Sequence, residues 1–148
     1  MRNPQSAIRN PQSGRRRGAA ATELALILPL LVTIVLGCVD FGRFGYMYIA
    51  VTNAARAGAG VGSSKRVTTA TLEKWRTEIR TAAASEMSGQ TGYDAARLTI
   101  PDPQLIVETS GLKRVSVQVN YDFRMIVPWP LLPSQVTLSR TVQMRIIR

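Results

Sequence analysis

A chain of 148 residues has room for one modest domain beside a membrane segment, and its net charge is +10. Histidine is absent, which removes the commonest general base and the commonest metal ligand, so that no cofactor or metal site is expected. Cys38 is the one cysteine, which excludes an intramolecular disulfide and leaves packing to stabilise the fold.

The positive charge is concentrated at the N-terminus. Residues 1–18 contain five arginines and no acidic residue, which accounts for half of the net charge. An excess of basic residues directly before an apolar segment is typical of the cytoplasmic side of a membrane protein. Residues 60–148 contain no basic run interleaved with aromatic residues, so the charge does not indicate a nucleic-acid partner. We therefore interpret residues 1–18 as a cytoplasmic basic leader peptide.

Residues 19–39 form an apolar segment in which Glu23 is the one charged residue. A run of about 20 apolar residues is long enough to cross the roughly 30 Å hydrocarbon core of a bilayer as a helix. Pro29 removes one backbone hydrogen bond from such a helix, which membrane helices tolerate. The segment therefore predicts a single-pass transmembrane helix.

The helical pattern continues beyond the apolar segment without a further proline, so that the predicted helix with its extramembrane extension covers residues 19–59. Ala50, Ala54 and Gly58 recur at every fourth position, and such a stripe of small residues allows two helices to approach closely. A helix over residues 19–58 would be about 60 Å long, twice the hydrocarbon thickness. We expect it to end in a glycine-rich hinge at residues 58–64.

Four aromatic residues follow the apolar segment within the same predicted helix. Rings with an apolar body and a polar edge favour the lipid–water boundary. Their predicted role is therefore membrane anchoring, with packing between subunits as the alternative. These residues are Phe41, Phe44, Tyr46 and Tyr48.

Glu23 is unusual because a charged side chain near hydrocarbon costs on the order of 2.5 kcal/mol or more and persists where it has a partner. If the chain were cut after Gly18, Ala19 would carry a new α-ammonium group and Glu23 would be the fifth residue of the product. The carboxylate could then neutralise its own N-terminus or that of a neighbouring subunit. It would also lie at the positive end of the helix dipole.

Residues 15–60 resemble the TadE-like family of pilus-assembly pseudopilins from tight-adherence systems. The likeness lies in the sequence RRRGAAATELALILPLL and in the following GCVDFGRFGYMYIAVTNAARAGA. Its first part looks like the class III signal that prepilin peptidases cut, although Leu24 stands where many such signals have an aromatic residue. The residues that match this processing signal are Arg15, Arg16, Arg17, Gly18, Ala19 and Glu23.

The resemblance implies a minor pilin-like subunit of an adhesive pilus, cut by a prepilin peptidase between Gly18 and Ala19. It further implies a single-pass protein of the bacterial inner membrane, with its N-terminus in the cytoplasm and its C-terminal domain outside. The implied partners are the peptidase, other pilin-like subunits, the inner-membrane assembly machinery and membrane lipid. Neither a nucleic acid nor a small-molecule substrate is implied, and no enzymatic activity is expected.

Residues 60–148 predict an exported α+β domain with one amphipathic helix packed on a small antiparallel sheet. Residues 69–88 place apolar side chains at three- or four-residue spacing, which is typical of an amphipathic helix. Residues 97–100 and 104–109 are short strand candidates. Residues 115–124 and 136–146 alternate apolar and polar side chains, which predicts two longer strands with one buried face.

A proline-rich loop at residues 128–133 connects the two longer predicted strands. Its apolar residues Trp129, Leu131 and Leu132 are the predicted contact surface for a partner, because exposed apolar patches often mark interaction sites. The alternative is that the loop folds back as a lid over the core.

Three other functions remain open from the sequence. Val35 to Cys38 approximate the box that precedes a lipidated cysteine, which would make the chain a lipoprotein lipidated at Cys38. Glu23 and Pro29 within the apolar segment argue against that interpretation. A membrane-anchored interaction domain without a pilus role is the second alternative, and a membrane-anchored enzyme, for which the chain offers few catalytic groups, is the third.

Overall fold

The computed structural model describes residues 12–109, 111–129 and 132–146, with side chains from residue 18 onward. Most of the predicted leader therefore lies outside the described residues, as do the side chains of Arg15, Arg16 and Arg17. The chain divides into two compact units, Met1–Val39 and Asp40–Arg148.

Helix α1 comprises Gln12–Ser64, with Pro29 inside it. In the first unit its apolar side chains are exposed: Leu26, for example, is 77% exposed and Leu30 is 61% exposed. In the part of the chain that the structure describes, α1 is the one helix long and apolar enough to cross a membrane. Exposed apolar side chains on such a length of helix are stable in hydrocarbon and costly in water.

The predicted glycine-rich hinge is wrong, because α1 continues through Gly58, Gly60 and Gly62 to Ser64. Gly62 is needed for close packing: a Cβ at this position would lie 2.8 Å from Ile79 Cδ1 and 2.9 Å from Val115 Cγ2. The Trp75 indole donates a hydrogen bond to the Gly62 carbonyl at 3.0 Å. The glycine therefore lets α1 approach its neighbours instead of ending the helix.

The predicted amphipathic helix is α2, Leu72–Ser88, which follows a short 3-10 turn at Thr69–Thr71. Its stripe of Trp75, Ile79, Ala83 and Met87 is buried, as the spacing predicts. Gly89 is the C-cap.

Four strands form one antiparallel sheet. They are β1 Leu98–Thr99, β2 Gln104–Val107, β3 Lys113–Arg124 and β4 Gln135–Arg145. The long β3 is central: β1 and β2 pair with one edge, and β4 pairs with the other, with Val119 opposite Arg140. A long apolar helix, a second helix and a small antiparallel sheet confirm the predicted α+β fold.

The alternation of β3 determines which face of the sheet is covered. Val115, Val117, Val119, Tyr121 and Phe123 are buried, and they form one core with apolar side chains of α1 and α2. Polar side chains hydrogen-bond across the other face, where Ser139 donates to Asn120 at 2.7 Å and Thr137 donates to Asp122 at 2.6 Å. The second unit is therefore a two-layer structure with one wet sheet face.

Candidate functional site

Asp40 is the first residue after the apolar segment and the first residue of the second compact unit. It is 3% exposed, and it is the one buried polar or charged side chain among the described residues. A buried carboxylate is stable only when its oxygens accept hydrogen bonds or meet a positive charge. Its surroundings therefore define the candidate site.

The Asp40 carboxylate accepts hydrogen bonds from four donors. Oδ1 accepts from the Ile126 backbone N–H at 3.0 Å and from Arg43 Nη1 at 3.2 Å. Oδ2 accepts from the Val127 backbone N–H at 3.1 Å and from Trp129 Nε1 at 3.2 Å. One side chain of α1 thus holds the loop that follows β3, across almost ninety positions of the chain.

The same hydrogen bonds stabilise the charged form of the carboxyl group. The backbone N–H of Ile126, followed by the N–H groups of Val127 and Trp129 and the charge of Arg43, lowers the pKa of Asp40 below its usual 3.8, although burial acts in the opposite direction. Asp40 is therefore ionised at neutral pH, with its charge directed into the loop.

An apolar cleft of about 230 Å³ lies beside this carboxylate. Phe44 forms part of it and packs edge-on against Phe123, with 5.6 Å between the ring centroids. The guanidinium of Arg43 lies 5.3 Å above the same Phe123 ring. The residues lining the cleft are Asp40, Phe41, Phe44, Met125, Trp129, Leu132 and Val136.

The loop residues predicted to contact a partner have different environments. Trp129 is half-buried and its indole is bonded to Asp40, whereas Leu132 is 44% exposed. Leu131 lies outside the described residues. The loop is held against α1 and also leaves apolar surface open, so contact with a partner stays a prediction.

The small-residue stripe of α1 faces the core of the second unit. Ala50 is 3% exposed and Ala54 is fully buried, both within the apolar core. At Gly58, an added Cβ would lie 3.3 Å from Ala83 Cβ and from Ile79 Cγ2, so the glycine lies directly against α2. The close approach that these residues allow is therefore made inside this chain.

The residues around the predicted cut lie on α1. Gly18, Ala19 and Glu23 are exposed, and Thr22 donates a hydrogen bond to the Gly18 carbonyl at 2.9 Å. Cys38 is also exposed within the same helix. No group of three metal-ligating side chains occurs in the described ranges. Cleavage at Gly18, with Glu23 then pairing the new N-terminus, stays a prediction.

Sequence reasoning missed the role of Asp40. An acidic residue directly after an apolar segment is most simply interpreted as solvated, and Arg43 three positions later suggests a local ion pair. Two of its four donors are the backbone N–H groups of Ile126 and Val127, which every loop residue other than proline carries. No side-chain pattern in the sequence therefore indicates this contact.

Comparison with protein families gives one match: residues 18–60 match the model described as TadE-like protein. The match confirms the resemblance seen in the sequence over this segment. It ends within α1, so that α2 and the sheet lie beyond it. No match was found among curated proteins or among solved structures.

Proposed function

Because residues 18–60 match the TadE-like family, we propose that this chain is a minor pilin-like subunit for an adhesive pilus of the tight-adherence type. Residues 19–39 would cross the bacterial inner membrane with the basic leader in the cytoplasm. The domain formed by the second unit would then be exported, where it meets other subunits and the assembly machinery.

The observation that carries this proposal is the position of Glu23. It is exposed on an apolar helix, within the matched segment and five residues after Gly18. A prepilin peptidase that cuts between Gly18 and Ala19 would create an α-ammonium group close to this carboxylate along the chain. Pairing of the two charges would offset the cost of placing either in hydrocarbon, so processing would prepare the helix for packing beside other subunits.

The first prediction is the mass of the mature protein. We expect the chain that is expressed with a prepilin peptidase to begin at Ala19, as measured by intact mass spectrometry, and to retain residues 1–18 when the peptidase is absent. Because the leader has a defined sequence, its removal lowers the mass of the chain by a known amount. A chain that keeps its leader in the presence of active peptidase contradicts the proposal.

The same spectrum tests the lipoprotein alternative. A mature chain that begins at Cys38 with the added mass of acyl groups would assign the chain to that class. Helix α1 runs without interruption through Cys38 into the core of the second unit, where Met47 and Val51 are buried. A mature chain that begins at Ala19 with an unmodified cysteine excludes lipidation.

A further inference from the structure

Apolar side chains are exposed around the Asp40 carboxylate. Phe41 and Ile126 are each 62% exposed and Leu132 is 44% exposed, while Trp129 is half-buried beside them. We name these four residues the boundary patch. Water contact with several large apolar side chains in one place is costly, so such a patch commonly marks an interaction surface.

The chain itself fixes the patch close to the end of the proposed membrane segment. Val39 is the last residue of that segment and Asp40 is the next. The Asp40 oxygens bond directly to Ile126 and to Trp129, at 3.0 Å and 3.2 Å. Asp40, one position after the end of the apolar segment, therefore holds the Ile126 and Trp129 part of the patch.

The chemistry of the patch suits the boundary between headgroups and acyl chains. Tryptophan is enriched at this depth because its ring is apolar and its N–H is polar. The charge of Asp40 is paired with Arg43 at 3.2 Å, and three neutral N–H groups also donate to its carboxylate, so it does not repel anionic lipid. Arg124, which is exposed to solvent at the end of β3, adds a positive charge next to the loop, and anionic headgroups attract such a charge.

We propose that the boundary patch inserts into the membrane surface, so that phospholipid covers it and anchors the loop of the second unit at the bilayer. This inference rests on the membrane insertion in the proposed function. Lipid is favoured over a second copy of the chain because Phe41 lies two residues after the end of the apolar segment and Asp40 holds Ile126 and Trp129 beside it. We therefore expect Ile126, Trp129 and Leu132 to be shielded from water by lipid.

The test compares three cysteine positions in the full chain, reconstituted in phosphatidylglycerol vesicles, with Cys38→Ser as background. Ile126→Cys probes the patch, and Val107→Cys is its matched control at the other end of the sheet; the native residues are 62% and 60% exposed. Leu30→Cys, where the native residue is 61% exposed, probes the apolar segment. Ile126 and Val107 lie in the same unit, so their ratio of labelling rates does not depend on vesicle orientation.

We expect a water-soluble maleimide to label Ile126→Cys at least about tenfold more slowly than Val107→Cys, a factor that corresponds to about 1.4 kcal/mol. Leu30→Cys should not react. Equal rates at 126 and 107 with an unreactive position 30 overturn the patch inference and leave the proposed function standing. Rapid labelling at position 30 shows that the segment is not inserted, and both proposals then fail.

Tryptophan fluorescence distinguishes a patch covered by lipid from a patch covered by protein. Brominated phospholipids quench indoles that they touch, and the chain has two: Trp129 in the patch and Trp75, which is 2% exposed in the core. We expect quenching in the native chain that is lost in Trp129→Phe. Slow labelling at position 126 without such quenching means that a second copy or another protein covers the patch, which overturns the inference.

Discussion

Asp40 brings two backbone N–H groups, an indole N–H and a guanidinium to one carboxylate. Each of these groups needs an acceptor once the loop lies against α1, and a buried donor without one costs about 1–3 kcal/mol. Hydrogen bonds to the Asp40 carboxylate therefore hold the backbone of the loop after β3 in place. At the residue scale, this carboxylate is therefore a position at which substitution should be costly.

We expect Asp40→Ala to lower the free energy of unfolding of the second unit by about 3 kcal/mol, since several buried donors lose their acceptor at once. The measurement is urea denaturation of the full chain in detergent. The control is Asp102→Ala, which removes an exposed ion pair with Arg80 at 3.0 Å and should cost less than about 1 kcal/mol. An equal loss of unfolding free energy in the two variants would show that the Asp40 contacts stabilise the fold no more than an exposed ion pair does.

The stability that Asp40 contributes should depend on pH in a defined direction. The pKa of Asp40 is lower in the folded chain than its usual 3.8, so its contribution to stability is complete above about pH 4 and is lost as the pH falls through the folded value. The difference between the native chain and Asp40→Asn should therefore shrink below about pH 4. A difference that stays constant into acid would contradict an ionised carboxylate at this site.

Helix α1 is the element on which the fold depends, because it changes environment along its length without a break. Between residues 19 and 39 its side chains are largely exposed and mostly apolar, and beyond Asp40 one face enters the core of the second unit. Glycine within a helix costs about 1 kcal/mol relative to alanine. Gly62 is nevertheless required, because Ile79 and Val115 occupy the space that a Cβ would need.

Two glycine substitutions test this packing with opposite expected signs. Gly62→Ala places a Cβ less than 3 Å from Ile79 and Val115, so overpacking of about 1–3 kcal/mol should exceed the gain in helix propensity. Gly60→Ala meets nothing within 4 Å and should stabilise the domain by up to about 1 kcal/mol. The check is urea denaturation of both variants; stabilisation by both would mean that α1 is not packed tightly at Gly62.

The whole molecule combines a TadE-like segment with a domain that the family match does not cover. The first part of the segment carries the features expected for processing, whereas its second part shares the buried core with α2 and the sheet. The residues around the proposed cut, Gly18 to Glu23, lie in the first unit and outside that core. Substitutions near the cut can therefore test processing and assembly without changing the core of the second unit.

Glu23→Ala should leave cutting at Gly18 intact and abolish pilus assembly, because the new α-ammonium group then lacks its carboxylate partner. The readout is surface pili by electron microscopy together with the mature mass of the protein. Glu23→Gln keeps the size of the side chain without its charge, and it should fail in the same way. Normal piliation in either variant would contradict charge pairing as the reason for the residue.

The sequence alone determined the local elements. Periodicity depends only on neighbouring residues, so the stripe of α2 and the alternation of β3 predicted their buried faces. The apolar segment and the resemblance to the TadE-like family were likewise readable in one continuous stretch. The tertiary structure decided what depends on distant partners. The glycines predicted as a hinge are helical, and Gly62 lies against Ile79 and Val115, which leave no room for a side chain there. Asp40 is buried where it accepts hydrogen bonds from backbone groups almost ninety positions away.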